Sequence, residues 1–237
     1  NFSLLRLQEK VHHVVGDIRD PAALEASLID SKAEFVFHLA AQALVSESYR
    51  DPVETISTNV LGSANLLEAV RKSPSVRSLV YVTSDKAYEN KEWPWGYREN
   101  DELGGRDPYS ASKGAAELIF SAFNRSFFTE RTSLGVASVR AGNVIGGGDF
   151  SENRLVPDCI RAIRSQSAIV IRNPNSTRPW QHVLEPLSGY LKLAAQLDED
   201  PDRYSGSWNF GPPVGAGASV KEVATKIAKV FGDLPLE

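Results

Sequence analysis

The chain has a single cysteine, no methionine, and no long apolar run. Cys159 has no partner within the chain, so an intrachain disulfide is excluded, which fits a reducing, cytoplasmic compartment. A lone thiol of this kind reads as a small buried apolar side chain. A membrane-crossing helix needs about 18 or more consecutive apolar residues, and the sequence offers none, so no membrane partner is expected. Residues Asn1 to Arg6 lack the apolar stretch of a signal peptide. Methionine is missing even at position 1, so the native start is expected upstream and the chain reads as part of a longer protein. Excess positive charge is also absent: the formal net charge is −4, which argues against nucleic acid as a partner. No Cys/His cluster has metal-ligand spacing, so no metal is expected, and there is no Gly-x-Ser-x-Gly elbow. Gly146-Gly147-Gly148 lacks the Gly-x-Gly-x-x-Gly spacing and opens no immediate helix, so it does not read as a cofactor loop.

What is present is a regular alternation. At 237 residues the chain can form one large domain, or one domain and a small lobe. Val11–Val15 reads as a buried strand, and Asp20-Pro21 opens a helix to about Asp30. Residues 34–39 form a strand, 52–72 a long helix, and 77–83 a strand ending at Ser84. A polar and aromatic loop, 88–106, contains Trp93-Pro94-Trp95. Asp107-Pro108 is an N-cap with proline at the first helical position, and the helix runs to about Phe128. A strand over 133–140 follows. This order predicts βαβ units and a parallel sheet. Beyond residue 149 the rhythm changes to a mixed lobe: helix 154–165, a short strand 168–172, helix 184–197, strand 207–210. A last helix follows, with a Ser219-x-x-Glu222 capping box and a terminal Gly232. The glycine-rich loop 211–218 is expected to be its most flexible segment.

Tyr109 and Lys113 carry the sharpest chemistry. Residues four apart share a helix face. A tyrosine titrates near ~10 in water, and bringing it to about 7 takes ~4 kcal/mol of preference for the phenolate. A neighbouring ammonium supplies part of that preference. Such a pair can take a proton from a hydroxyl while hydride leaves the same carbon. Ser84-Asp85-Lys86 ends a parallel strand, where ligands of open α/β sheets bind. Asp17 follows Gly16 and could face an adenine amino group; its plain alternative is a turn residue. His38 reads as a packed histidine at a strand end. The small residues after it, through Gln42, allow close backbone approach to a flat cofactor. Asn59 lies inside a helix, where an inward polar side chain needs a partner. Arg178-Pro-Trp180-Gln-His182 joins a cation, an indole and an imidazole, suited to a diphosphate or to a cation–π surface turn.

Several segments together resemble the extended short-chain dehydrogenase/reductase family, and within it the nucleotide-sugar 4,6-dehydratases, those acting on CDP-glucose above all. They are Val14–Asp20, His38–Gln42, Thr83–Lys86, Tyr88–Trp93, Gly96–Glu99, Tyr109–Lys113, Val139–Asp149 and Arg178–Pro186, and they span nearly the whole chain. The resemblance implies a Rossmann-type doubly wound sheet over residues 1–145, with parts of 172–210 returning to it. A smaller mixed α/β lobe over most of 146–237 would bind the sugar nucleotide. It implies bound NAD, with cofactor contacts from Asp17, Ile18, Leu39, Ala40, Ala41, Gln42, Asn59, Tyr109 and Lys113. Substrate contacts would come from Ser84, Asn143, Arg178 and Trp180. Tyr109 would take the C4 hydroxyl proton, Ser84 would hold the C4 oxygen, and Lys86 would remove the C5 proton. Asp85 would protonate the departing C6 hydroxyl. Better-known dTDP-glucose relatives have glutamate where Lys86 stands; a lysine must first lose its proton to act as a base. The family's first strand and glycine-rich loop have no counterpart in this sequence, so NAD rather than NADP rests on the resemblance alone. Family members are often dimers, built through the helix carrying Tyr109 and its neighbour, so the resemblance implies a homodimer or a higher homo-oligomer.

Three other readings stay open, the first being a 4,6-dehydratase of the same family that acts on a sugar carried by another nucleotide base. A 4-epimerase of the same family would use Tyr109 and Lys113 but has no need of Asp85 and Lys86. A dinucleotide-sensing protein on this fold often lacks the Tyr/Lys pair.

Overall fold

The computed structural model describes residues 2–213, 215–231 and 235–236. Its helices are α1 (Pro21–Ser31), α2 (Val45–Arg50), α3 (Pro52–Ile56), α4 (Gly62–Lys72), α5 (Pro108–Phe123), α6 (Leu155–Ser165), α7 (Leu184–Glu199), α8 (Pro201–Tyr204) and α9 (Val220–Val230). Its strands are β1 (Phe35–His38), β2 (Ser78–Val82), β3 (Gly135–Ala141), β4 (Val144–Ile145), β5 (Thr177–Arg178), β6 (Gln181–His182), β7 (Gly206–Phe210) and β8 (Ala218–Ser219). The chain divides into two compact units.

The first unit comprises Asn1–Ala141 and Leu187–Phe210. Its sheet has the order β1-β2-β3-β7, with every neighbouring pair parallel. Parallel strands need crossovers, and helices fill them, so both faces of the sheet are covered. On one face Leu79, Tyr81 and Val136 pack with Leu66, Leu67 and Val70 of α4 and with Ala116 and Phe120 of α5. On the other, Val80, Ala137 and Val139 pack with Tyr190, Leu193, Ala194 and Leu197 of α7. Successive residues of β2 therefore enter opposite cores, as the two-residue period of a strand requires.

The helix starts follow from local chemistry. Asp20 accepts hydrogen bonds from the Ala22 and Ala23 amides, and Pro21 occupies the first turn, where a missing N–H costs nothing. The expected helix over 52–72 is one continuous rod with a change of pitch: α3 passes into the π-helical turn Ser57–Leu61 before α4. A second π-helical turn, Asn124–Phe128, extends α5.

The second unit comprises Gly142–Pro186 and Gly211–Glu237. Here β4 pairs with β6 in parallel and β5 pairs with β8 antiparallel. Cys159 of α6 is fully buried with Ile169, Ala224 and Ala228. The capping box is formed: Ser219 Oγ accepts from the Glu222 amide, and the Glu222 carboxylate accepts from the Ser219 amide at 2.7 Å. Gly232 lies outside the described residues.

Two expected strands are corrected. Residues 11–15 are exposed and irregular and pair with no strand among the described residues. Residues 168–172 make only an isolated bridge between Ile169 and Leu236. One bridging residue is too little for a ladder. Ile169 of the second segment is buried, whereas Val11, Val14 and Val15 of the first are exposed; a strand exists only where a partner backbone lies alongside.

Gly135 opens β3 where α7 ends against it; a Cβ there would stand 2.4 Å from the Leu197 carbonyl oxygen and 2.8 Å from its Cβ. Backbone cannot yield as a flexible side chain can. Gly135→Ala is expected to destabilise the protein by about 1–3 kcal/mol through overpacking. A lowered urea midpoint would show this, and an unchanged one would contradict it.

Candidate active site

The site is built on α5. Asp107 caps the helix: its carboxylate accepts from the Ser110 amide at 2.9 Å and from the Ser110 hydroxyl at 2.6 Å. Tyr109, Lys113 and Glu117 then follow at four-residue intervals, so they stack along one face. All three are buried, at 8%, 6% and 1% exposure, so this face points into the protein. The Lys113 ammonium lies 6.0 Å from the Tyr109 ring centre. Burial pushes the Lys113 amine down to about 8, while the Glu117 charge one turn away pulls it up. At neutral pH Lys113 therefore remains mostly charged. Among the described residues it makes no ion pair.

Gly114, next to Lys113, lets α5 sit against the carboxyl end of β2. A Cβ there would come within 2.8 Å of the Gly104 oxygen and 3.3 Å of the Ala87 oxygen. Ala87 closes a single 3-10 turn, Asp85–Ala87, which Ser84 caps by accepting from the Lys86 amide at 3.2 Å. The Ser84 hydroxyl donates to Asp85 at 3.1 Å. Ser84 and Asp85 are half-buried, and Lys86 is exposed. The structure thus brings the Tyr/Lys helix and the Ser-Asp-Lys turn together.

The carboxyl end of β1 lies across the same sheet. Leu39 and Ala40 are exposed there, and Ala41 and Gln42 are half-buried. Asn59, turned inward by the π-helical segment and 2% exposed, holds this loop. Its side-chain oxygen accepts from the Gln42 amide at 2.8 Å; its amide nitrogen donates to the Gln42 oxygen at 3.0 Å and to the Ser112 hydroxyl at 2.9 Å. Asn59 therefore ties the β1 loop to the helix that carries Tyr109 and Lys113. The Gln42 side chain donates to Thr55 at 2.8 Å. Asp17 is exposed and paired with Arg19 at 2.5 Å; hydrogen bonds from the Arg19 side chain and then its backbone hold the Asp17 carboxyl down at about 2. Ile18 is half-buried, and its carbonyl accepts from Asn65 at 3.1 Å.

His38 is packed, 5% exposed, with its ring stacked on Tyr81 at 5.1 Å. Desolvation first, and then the Lys113 charge, push it down to about 4, so it is neutral near pH 7.

Sequence reasoning missed the buried pair behind the site. Glu117 and Arg140 meet at 2.7 Å with exposures of 1% and 3%. Glu117 also accepts from Thr83 and from Ser138. Arg140 donates to the Tyr88 hydroxyl at 2.7 Å and lies over that ring at 4.8 Å. Tyr88 begins a run of ring contacts in the loop after the turn: it stacks on Tyr97, which meets Trp93 at a tilt, and Trp93 stacks on Trp95. The available signal was spacing: Glu117 repeats the Tyr109–Lys113 interval, and Arg140 interrupts an apolar strand.

Asn143, Arg178 and Trp180 belong to the second unit. The Asn143 carbonyl accepts from the Gln181 amide at 3.0 Å, joining β4 to β6. The half-buried Arg178 donates to the Thr177 carbonyl at 3.1 Å. The Trp180 indole donates to the Ala218 carbonyl at 3.0 Å.

The profile described as the NAD dependent epimerase/dehydratase family matches residues 3–211, and the chain belongs to that family. CDP-glucose 4,6-dehydratase of Salmonella typhimurium is 50% identical over 236 residues, 98% of this chain and 66% of that protein. A UDP-N-acetylglucosamine 4-epimerase from Methanobrevibacter ruminantium M1, solved with UDP-N-acetylmuramic acid, is 26% identical with a TM-score of 0.78, covering 94% of this chain and 68% of that one. MoeE5 in complex with UDP-glucose and NAD is 27% identical with a TM-score of 0.78, covering 94% of this chain and 69% of that one. The chain thus spans 66% of the length of the Salmonella enzyme.

The neutral, buried His38 gives a signed prediction. Its pKa falls from the ordinary 6.5 to about 4 on folding. Above 6.5 neither state binds the proton; as pH falls from 6.5 toward 4 the unfolded chain binds it and the folded one does not. Stability is therefore lost on acidification across that window, by about 3 kcal/mol from this group. His38→Phe should flatten the slope of unfolding free energy against pH there; an unaltered slope would assign the loss to other groups.

Proposed function

We propose that the protein dehydrates a nucleotide-diphosphate sugar, CDP-glucose, to CDP-4-keto-6-deoxyglucose, with NAD as a cofactor that is not consumed. The observation that carries the reading is the seating of the Tyr109–Lys113 helix against the Ser84-Asp85-Lys86 turn at the carboxyl end of β2. The first pair suits oxidation at C4; the turn supplies the acid and base that elimination needs and that epimerisation does not. The resemblance to the Salmonella enzyme supports CDP-glucose as the substrate.

The residues present fit a dinucleotide. Lys113 is a buried cation without an ion pair among the described residues, available to ribose hydroxyls. Leu39, Ala40 and Ala41 offer small or exposed surface where the β1 backbone ends. Gln42, Asn59, Asp17 and Ile18 complete that side, Asn59 by fixing the Gln42 backbone. When bound, NAD supplies the acceptor for the C4 hydride and the donor that returns it to C6.

Tyr109 takes the C4 hydroxyl proton. Lys113, still charged at neutral pH, favours the tyrosinate electrostatically. Ser84 donates a hydrogen bond to the C4 oxygen, and the resulting C4 carbonyl makes the C5 proton acidic. Lys86 removes that proton in its neutral form, and Asp85, as the acid, protonates the departing C6 hydroxyl. Lys86 gives its proton back to C5 as C6 is reduced, and the proton that Tyr109 took replaces the one Asp85 gave up, so the net change is the loss of one water. Asn143 and Arg178 hold the nucleotide diphosphate, Arg178 by the paired hydrogen bonds its guanidinium can give, and Trp180 is a further substrate contact.

We also propose a homodimer. Val53, Ile56 and Leu61, near the Asn59 segment, are exposed by 74%, 50% and 54% and line one apolar hollow with Ile119 of α5, whose neighbour Leu118 is 60% exposed; this surface suits a two-fold partner. The lone buried Cys159 accords with a cytoplasmic setting.

Mass spectrometry of CDP-glucose, dTDP-glucose and GDP-mannose after incubation with the full-length protein and NAD tests the activity. Loss of water from CDP-glucose is expected; an unchanged mass with a new C4 stereoisomer would replace dehydration with epimerisation. Tyr109→Phe should cut C4 oxidation by about a hundredfold or more while leaving the fold intact. Lys86→Ala should retain C4 oxidation and stall elimination; normal product release would remove Lys86 from the role of base.

The dimer has its own measurement. Sedimentation should give twice the chain mass, and Leu118→Glu should halve it. A monomeric wild type would end that proposal.

A further inference from the structure

We propose that the buried Glu117–Arg140 pair is a clamp that positions the Ser84-Asp85-Lys86 turn by gripping it at both ends. The inference rests on the dehydratase reading for its kinetic consequence, though not for its geometry. The residue before the turn, Thr83, donates its hydroxyl to one oxygen of Glu117. The residue beyond it, Tyr88, accepts through its hydroxyl from Arg140 at 2.7 Å and donates to Asn209 at 2.7 Å. Glu117 and Arg140 bond to each other at 2.7 Å, so the turn is the loop of a closed hydrogen-bonded ring. Both ends of this ring are buried: Thr83 is 8% exposed and Tyr88 5%.

The same pair is anchored on three further sides. Ser138 donates to Glu117 at 2.9 Å from β3, and Arg140 donates to Ser207 of β7 at 3.2 Å. Arg140 also donates to the Glu99 carbonyl at 3.0 Å in the aromatic loop. Glu117 stands one helical turn beyond Lys113 on α5. One buried point therefore fixes the turn and the Tyr109–Lys113 face relative to each other. A pair serving only to glue the core would not need its outer bonds on the two residues that bracket the turn. Thr83 and Tyr88 touch neither cofactor nor substrate in this scheme; they act through the turn and are positioning residues.

Substituting Glu117 or Arg140 strands a buried charge and endangers the fold, so the test uses the outer arms. Thr83→Val and Tyr88→Phe each remove one hydroxyl and preserve shape. In the full-length protein with NAD and CDP-glucose, each should lower kcat roughly tenfold or more with KM within about twofold, the signature of misplaced reacting groups. Thr83→Ser keeps the hydroxyl and should restore kcat. In the same variants, amide exchange should quicken at Lys86, Ala87 and Tyr88 while β2 and β3 keep their protection. Wild-type kcat with unchanged exchange at the turn would overturn the clamp, and so would exchange that quickens evenly through the sheet. A wild-type protein that dehydrates no nucleotide sugar would defeat the proposed function alone. Exchange confined to the turn in the variants would then still support the clamp, and unchanged exchange would still overturn it.

Discussion

A carboxylate and a guanidinium held out of water need each other. Placing either alone in a protein interior costs several kcal/mol, and their attraction offsets that cost only with good geometry and full hydrogen bonding. Glu117 and Arg140 come close to these terms at 2.7 Å: Thr83, Ser138, Tyr88 and Ser207 take up further donors and acceptors, and only the Arg140 Nε of the pair is buried without a partner. Burial works against the Arg140 charge, and the hydrogen bond and charge of Glu117 more than offset it. The groups come from α5, β3, β7 and the two residues on either side of the turn that follows β2. A pair satisfied from so many elements fixes their mutual register as apolar contacts, which are not directional, cannot.

That constraint shapes the chemistry around it. The α5 face carrying Glu117 also carries Lys113 and Tyr109, so the electrostatics of the core and of the site form one column. Glu117 counters the desolvation of Lys113 and helps keep its ammonium charged. Below it, His38 responds to the same low-dielectric surroundings by staying neutral, and stacks on Tyr81 as an aromatic ring. Asn59 performs the matching task for the β1 loop, spending its whole amide on the Gln42 backbone and Ser112. Close approach on this scale also needs missing side chains: Gly114 admits the Ala87 carbonyl, and Gly135 admits that of Leu197.

Much of the fold was legible in the residues. Strand and helix alternation through residue 141 announced the parallel sheet, and Asp20-Pro21, Asp107-Pro108 and Ser219-x-x-Glu222 marked helix starts that the structure forms. Caps are local, so a few adjacent residues suffice to specify them. Residues 11–15 and 168–172 misled because an apolar run records a tendency to be covered, and strand formation depends on a neighbour the run does not encode. The π-helical turn at Ser57–Leu61 left no trace in the apolar period, although it turns Asn59 inward.

By itself, the sequence determined the chemical inventory and its local spacing. Tyr109 and Lys113 had to share a face because a helix returns about every 3.6 residues. Ser84, Asp85 and Lys86 had to stand at the end of β2 because the chain there leaves a buried apolar strand. Tertiary structure alone decided that α5 would lie against this turn, that Glu117 would find Arg140, and that Asn59 would hold Gln42. Those partners are separated by 23 and 17 residues. Contacts at such distances along the chain are set by how whole elements pack, and no short-range pattern contains them.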